Sequence, residues 1–426
     1  MNSFWRIFSL ELTAFVRSRS LLLLLAASLG WMFAAPLVFR GDGTLEGSRQ
    51  LAVHYSLGGV AALVSVALLA AATGAFARER AAKRLQLTLV RPVRYVSIAV
   101  AKTAALSFAG AVVIAASAVV EAVRSPLVRP CRHVLSPVME SPREEAARMY
   151  TAYMADPNTP AAVKKARPSV VLRLLAQRSF DRYESIAPGG TGSWRFALPD
   201  GFDESVATSA RVRFAGEYGM RQDALGAFEL KAADFTLAGV ASNVTQSVVE
   251  FPLAAAPGAT PGEKGVLTFR NDGKTTIMLR PRRDVNLLTE ADSFGRNLVR
   301  ASLELMAMVT LLVSFGVFLG ASLSRPVALF TAVAALAVAE MSPSVIEQYP
   351  DELETDRIDA VGLQITRVAA QLTHPVSSLE PLAKLAEDTC VEPREVVRAV
   401  LADMLLAPLV FALLSSFVIP RKTESA

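Results

Sequence analysis

The sequence predicts an all-α membrane domain of about six transmembrane helices, with an inserted extracytoplasmic domain that is mainly β and sandwich-like. Apolar residues make up 52 % of the 426 residues. They are concentrated in runs that approach or exceed the roughly 20 residues needed to cross about 30 Å of hydrocarbon. The middle of the chain has an ordinary soluble composition instead. Within this middle part, apolar and polar residues alternate with the period of a β-strand.

Six apolar runs are the candidate spans. They are 21–39, 57–77, about 95–120, 298–323, 326–339 and 400–419. The first run is longer than the apolar core of a cleaved signal peptide, and no small-residue cleavage site follows it, which predicts a retained helix. The fifth run is short, and it crosses the bilayer only if its helix continues past Glu340 towards Ile346.

The first 20 residues have the pattern of an amphipathic helix. Its apolar positions recur at helical spacing, namely Phe4, Phe8, Leu12 and Phe15. Arg6 and Arg17 lie elsewhere on the helical wheel. This pattern predicts a helix in the membrane interface, and an ordinary cytoplasmic extension is the alternative.

Basic residues flank the apolar runs and predict the orientation of the chain, because cytoplasmic loops carry the excess of Lys and Arg. Both termini and the loop at 78–94 are therefore expected to be cytoplasmic. The predicted layout is an interfacial helix at 1–20, spans one to three at 21–123, an extracytoplasmic domain at 124–296, spans four and five at 297–346, an extracytoplasmic segment at 347–397, and span six with a cytoplasmic tail at 398–426.

The extracytoplasmic domain is long enough to bury a core of its own. Its first part, 142–185, has a helical pattern interrupted by Pro157, Pro160 and Pro168. Its second part has several short alternating segments, typical of strands. The segments 266–270 and 275–279 flank Asn-Asp-Gly-Lys, which predicts a β-hairpin between them.

No catalytic or metal-binding pattern occurs in the sequence. The three histidines are scattered, and 258–265 fails as a phosphate-binding loop because Gly265 replaces the required Ser or Thr. The chain is therefore predicted to be no enzyme and to hold no cofactor of its own. Although the net charge is +5, no basic stripe is interleaved with aromatic residues, so nucleic acid is not an expected partner.

Cys131 and Cys390 are the only cysteines, and both lie in segments expected outside the cytoplasm. Two thiols in an oxidising compartment can form a disulfide. Nothing in the sequence brings these two within the required distance, so a pair and two separate thiols are both open.

The loop between the second and third runs has the most specific pattern. It contains Arg78-Glu79-Arg80, then Leu85-Gln86-Leu87, then Leu89-Val90-Arg91-Pro92-Val93-Arg94, and Lys102 follows. This order resembles the permease subunits of ABC exporters of the type-2 class, in which an acidic residue closes the second helix, a leucine-rich short helix and a Pro-Val turn follow, and a lysine enters the third helix. The family usually has Gly-Thr at 83–84 and Glu at 86, where this chain has Lys-Arg and Gln. The resemblance covers a little over half the chain and excludes 124–296.

The resemblance implies a coupling site that docks into a separate ATP-binding subunit. Its expected residues are Glu79, Arg80, Leu85, Leu89, Arg91 and Pro92. ATP and Mg would belong to that partner. The chain would form a homodimer or pair with a paralogous permease, in contact with membrane lipid, as a multi-pass protein of a bacterial inner membrane. The stem of Lys102 is expected to snorkel to the interface.

The sequence is compatible with two main functions. One is the permease subunit of an ATP-driven exporter, and the other is a membrane-anchored scaffold or binding protein that acts through its extracytoplasmic β domain. A membrane enzyme is a third possible function, but it is disfavoured because the sequence has no catalytic pattern. No span carries a charge pattern that names a transported substrate.

Overall fold

The computed structural model describes residues 3–17, 19–39, 45–81, 94–124, 130–199, 202, 205–216, 223–232, 235–245, 248–255, 265–348 and 380–424. The chain divides into two compact units. The helical unit holds the chain before Arg132 and the described residues after Ala291, and the β unit is Arg132–Ala291. The prediction of a helical part and a separate β domain is confirmed at this level.

The helices are α1 (Ser3–Arg17), α2 (Ser20–Val38), α3 (Leu45–Ala81), α4 (Tyr95–Arg124), α5 (Pro142–Ala155), α6 (Ala161–Lys164), α7 (Pro168–Phe180), α8 (Pro281–Asp284), α9 (Phe294–Ser322), α10 (Arg325–Gln348), α11 (Glu380–Ala386), α12 (Pro393–Ala399) and α13 (Ala407–Glu424). The strands are β1 (Cys131–Leu135), β2 (Glu184–Ile186), β3 (Thr191–Arg195), β4 (Thr208–Arg213), β5 (Ala215–Gly216), β6 (Asp223–Lys231), β7 (Thr236–Val244), β8 (Val248–Ala255), β9 (Val266–Asn271), β10 (Ile277–Leu279) and β11 (Val285–Asp292). A π-helical segment, Val400–Leu406, joins α12 to α13.

Among the described residues, five helical segments are long and apolar enough to cross a membrane. They are Ser20–Val38, Gln50–Ala77, Tyr95–Arg124, Phe294–Ser322 and Pro393–Val418. The helix of the short fifth run does continue past Glu340, because α10 ends at Gln348. Its described apolar part, Arg325–Ala337, is shorter than the other five.

The core of the helical unit forms where α3, α4 and α9 pack against one another. Small residues allow α3 and α9 to approach closely, as in other packed membrane helices. A Cβ atom added to Gly320 of α9 would lie 2.5 Å from the Thr73 carbonyl oxygen of α3, and one added to Gly316 would lie 2.9 Å from the Ala72 Cβ atom. Glycine is therefore required at this crossing.

The segment from α11 to Val391 is also part of the helical unit. Leu382 and Val391 are fully buried in its core. Asn297 of α9, itself fully buried, donates to the Thr389 carbonyl oxygen and accepts from the Val391 amide, both at 2.8 Å. One side chain thus satisfies two backbone groups that would be costly to bury unpaired.

The β unit is built on a curled antiparallel sheet. Its eight strands have the order β1-β11-β4-β8-β7-β6-β9-β3. The two edges meet just after β1 and β3, where the Val138 amide donates to the Arg195 carbonyl oxygen at 2.7 Å. A smaller sheet has the order β2-β10-β5 and shares the same apolar core.

The predicted β-hairpin at 266–279 is wrong. β9 pairs with β6 and β3, whereas β10 pairs with β2 and β5 in the smaller sheet. Asn271, which is fully buried, explains the change of sheet, because its amide donates to the carbonyl oxygens of Ile186 and Thr275 at 2.9 Å. Residues 273–275 form a bend, and the hydrogen bonds of the Asn271 side-chain amide hold the chain that follows away from β9.

The predicted helical part of the β domain is confirmed as α5, α6 and α7, with breaks at the three prolines. Glu145 of α5 connects the helices to the rest of the β unit. Its carboxylate accepts from the Ser179 hydroxyl and, at 3.1 Å, from Arg282. The Ser179 hydrogen bond and, more weakly, Arg282 and Arg182 lower the pKa of Glu145, although partial burial opposes them.

A buried ion-pair triad as the candidate functional site

Lys102 is a charged residue in the core of the helical unit, with only 2 % of its side chain exposed. Its Nζ atom donates to Glu79 Oε1 at 2.7 Å and to Glu11 Oε2 at 2.9 Å. We call Glu11, Glu79 and Lys102 the triad. The structure shows this ammonium group paired with two carboxylates, and the expectation that its stem snorkels to the interface stays a prediction.

Three helices position the triad. Glu79 lies in the last turn of α3, Lys102 in the third turn of α4, and Glu11 in the middle of α1. The Phe76 ring, one turn before Glu79, lies 5.4 Å from the Lys102 ammonium group. Phe8 of α1 meets Phe108 of α4 edge-on at 6.1 Å, which holds α1 against α4 beside the triad.

The triad links its three helices electrostatically. Its two carboxylates are also largely shielded, with Glu11 15 % and Glu79 26 % exposed. Removing one partner of a buried ion pair typically costs about 3–5 kcal/mol, because the remaining charge stays buried. Movement of one of the three helices is therefore resisted by the other two.

The triad contains one of the residues expected at the coupling site, Glu79. Arg80 lies beside it in the last turn of α3. The remaining expected residues, Leu85, Leu89, Arg91 and Pro92, lie outside the described residues. The structure therefore gives the position of one end of the expected site.

Glu11 was missed by the sequence analysis, although a signal was present. It is the only acidic residue among the first 39, in a helix whose other charged residues are both arginines. A carboxylate on an amphipathic helix favours a nearby basic partner, and Lys102 lies near the start of the third apolar run. The position of α1 against α4, which brings the two together, is a tertiary contact.

Cys131 and Cys390 form a disulfide, with their Cα atoms 5.1 Å apart. The sequence left this pairing open because the two residues are separated by 259 positions. Cys390 lies between Thr389 and Val391, the two residues that Asn297 holds. The packing of α11 thus brings Cys390 to Cys131.

Within the described part of the chain, no group of three or more His, Cys, Asp or Glu side chains could hold a metal ion. No family model matches the chain, and no curated protein or solved structure is significantly similar to it.

Proposed function

We propose that the chain is the membrane-spanning permease subunit of an ATP-driven exporter of the ABC type-2 class. It crosses a bacterial inner membrane six times, with both termini in the cytoplasm. A separate ATP-binding subunit, which holds ATP and Mg, docks on the loop at 78–94. The permease pairs with a second copy or a paralogue, and its β unit lies outside the cytoplasm.

The triad is the observation that supports this proposal. Glu79 and Lys102 lie near the two ends of the loop at 78–94, in the helices that this loop connects. A force applied to the loop passes into both helices together, because their ends are joined by a buried ion pair. Glu11 extends the connection to α1. A subunit that receives mechanical work from a partner needs a connection of this kind between the helices that flank the contact.

The disulfide supports the proposed orientation. α4 has 30 residues, a length of about 45 Å at 1.5 Å per residue. Lys102 lies near the start of α4, and Cys131 follows its end. Disulfides persist in oxidising compartments, which favours an extracytoplasmic location for the Cys131 end. The triad and the loop then lie on the cytoplasmic side, where ATP is available.

A membrane-anchored scaffold is the second candidate, and the separate core of the β unit favours it. Phe214, Phe228 and Phe269 form one aromatic cluster inside that unit. A domain with a core of its own can bind a partner while the helices only anchor it.

Affinity purification of the full chain from its native membranes separates the two candidates. A permease should bring down an ATP-binding subunit in equal amount, and the preparation should hydrolyse ATP. A scaffold should bring down no such subunit. Absence of ATP turnover and of any nucleotide-binding partner, with the chain intact and folded, would contradict the proposal.

A further inference from the structure

One face of α1 is not covered by the described residues of the helical unit. An open groove of about 530 Å³ runs along it, lined by Arg6, Ser9, Leu10, Thr13, Ala14 and Arg17. These positions recur every three or four residues, so they share one side of the helix. We call this set the α1 outer face. The opposite side of α1 packs on the core through Ile7 and Phe15.

The charge on the exposed surface of α1 is entirely positive. Its one carboxylate, Glu11, is held by Lys102 on the inner side. Arg6 and Arg17 are exposed, and they lie 11 residues apart, a separation of roughly 16 Å along the same side of the helix. The α1 outer face is therefore complementary to a surface that carries several separate negative charges.

The α1 outer face lies at the depth where two candidate spans begin. α2 starts at Ser20, three residues after α1 ends, and Arg19 between them has a left-handed backbone that permits a sharp turn. α1 also contacts the first half of α4 through Glu11 and Phe8. The apolar side chains of Trp5 and Leu10 are 57 % and 67 % exposed beside the arginines. Exposed tryptophan and arginine together are typical of the lipid headgroup layer.

The geometry points to a docking surface for anionic phospholipid on the α1 outer face. Arg6 and Arg17 donate to the phosphates of separate lipid molecules, and Trp5 and Leu10 contact the upper acyl chains. Because α1 is joined to Lys102 through Glu11, the bound lipid also holds the triad at a fixed depth. The lipid contact does not depend on the ATP-binding partner.

The test uses the full chain in detergent micelles that contain equal amounts of phosphatidylcholine and phosphatidylglycerol. Lipid that stays bound after gel filtration is extracted and quantified by mass spectrometry. We expect phosphatidylglycerol to be enriched on the unmodified chain. The double variant Arg6→Gln/Arg17→Gln should lose this enrichment by roughly thirtyfold, the effect of removing two basic residues from an anionic surface. The matched control Lys164→Gln/Lys165→Gln removes the same charge from exposed positions of the β unit and should retain it.

Three results would overturn the inference. They are no enrichment on the unmodified chain, equal enrichment on the Arg6→Gln/Arg17→Gln variant, and an equal loss in the lysine control, which would assign the effect to net charge alone. In a further experiment, millimolar inorganic phosphate is added as a competitor. It should leave the lipid bound, and displacement would indicate a site for free phosphate rather than a lipid surface.

Discussion

Lys102 connects three helices through a single ammonium group. Each of its carboxylate partners comes from a different helix, and the Phe76 ring lies beside it. Loss of the ammonium would leave two shielded carboxylates without a cation, whereas loss of one carboxylate would still leave the ammonium paired with the other. The triad should therefore be most sensitive to the loss of Lys102 and much less sensitive to the loss of all three charges.

Replacing Lys102 with Met should destabilise the helical unit by about 3–5 kcal/mol, because two carboxylates are left close together without a cation. Thermal unfolding in one detergent measures this. The triple variant Glu11→Gln/Lys102→Met/Glu79→Gln removes every charge and should recover most of the lost stability. If Lys102→Met melts at the same temperature as the unmodified chain, the triad does not hold the helices together.

Glu145 predicts a pH dependence of the β unit. The Ser179 hydrogen bond and Arg282 lower its pKa in the folded state. The contribution of the carboxylate to stability is therefore present above the ordinary glutamate pKa of about 4.3 and is lost as the pH falls through the lower folded-state pKa. Glu145→Gln should be less stable than the unmodified chain at neutral pH, and the difference should vanish in acid. Thermal unfolding across pH measures both. A difference that persists unchanged in acid would show that packing, not ionisation, is responsible.

At the scale of elements, the close crossing of α3 and α9 depends on glycine. The helices approach so closely at Gly320 that a side chain would meet the backbone carbonyl oxygens of Thr73 and Ala72. Backbone atoms cannot rotate away as a flexible side chain can. The whole of α9 would have to shift to admit even a methyl group.

Gly320→Ala should therefore destabilise the helical unit by about 1–3 kcal/mol, the usual cost of overpacking. Gly30→Ala on α2 is the matched control, because a Cβ atom there meets nothing within 4 Å. The control should be neutral or slightly stabilising, since alanine favours a helix. Thermal unfolding of both variants is the measurement, and equal melting temperatures for the two would contradict the close crossing.

Local sequence patterns predicted most helices, whereas the features that depend on contacts between distant residues were not predicted. Hydropathy predicted the five described helices that are long and apolar enough to span a membrane, and proline positions predicted the breaks between α5, α6 and α7. The hairpin prediction failed because Asn271 bonds to Ile186, which is distant in sequence. The sequence did not predict the role of Glu11 or the Cys131–Cys390 disulfide for the same reason, because each depends on a contact between segments that are distant in sequence.

At the scale of the whole molecule, the proposed function assigns separate tasks to the two units. In that proposal, the helical unit would receive work through the loop at 78–94 and the triad, and the β unit would act outside the cytoplasm. Leu85 and Leu89 are four residues apart and would share one face of a helix in that loop. Burial of the two leucines in a groove of the partner should contribute about 1.5–3 kcal/mol each.

The amount of ATP-binding subunit that co-purifies with the chain tests the central claim most directly. Leu85→Asp/Leu89→Asp would bury two charges in the groove, and the partner should be lost while the chain still inserts in the membrane. The control Val240→Asp/Val248→Asp adds the same charges at exposed positions of the β unit and should retain the partner. A full complement of ATP-binding subunit on the Leu85→Asp/Leu89→Asp variant, with normal ATP turnover, would contradict the coupling role of this loop.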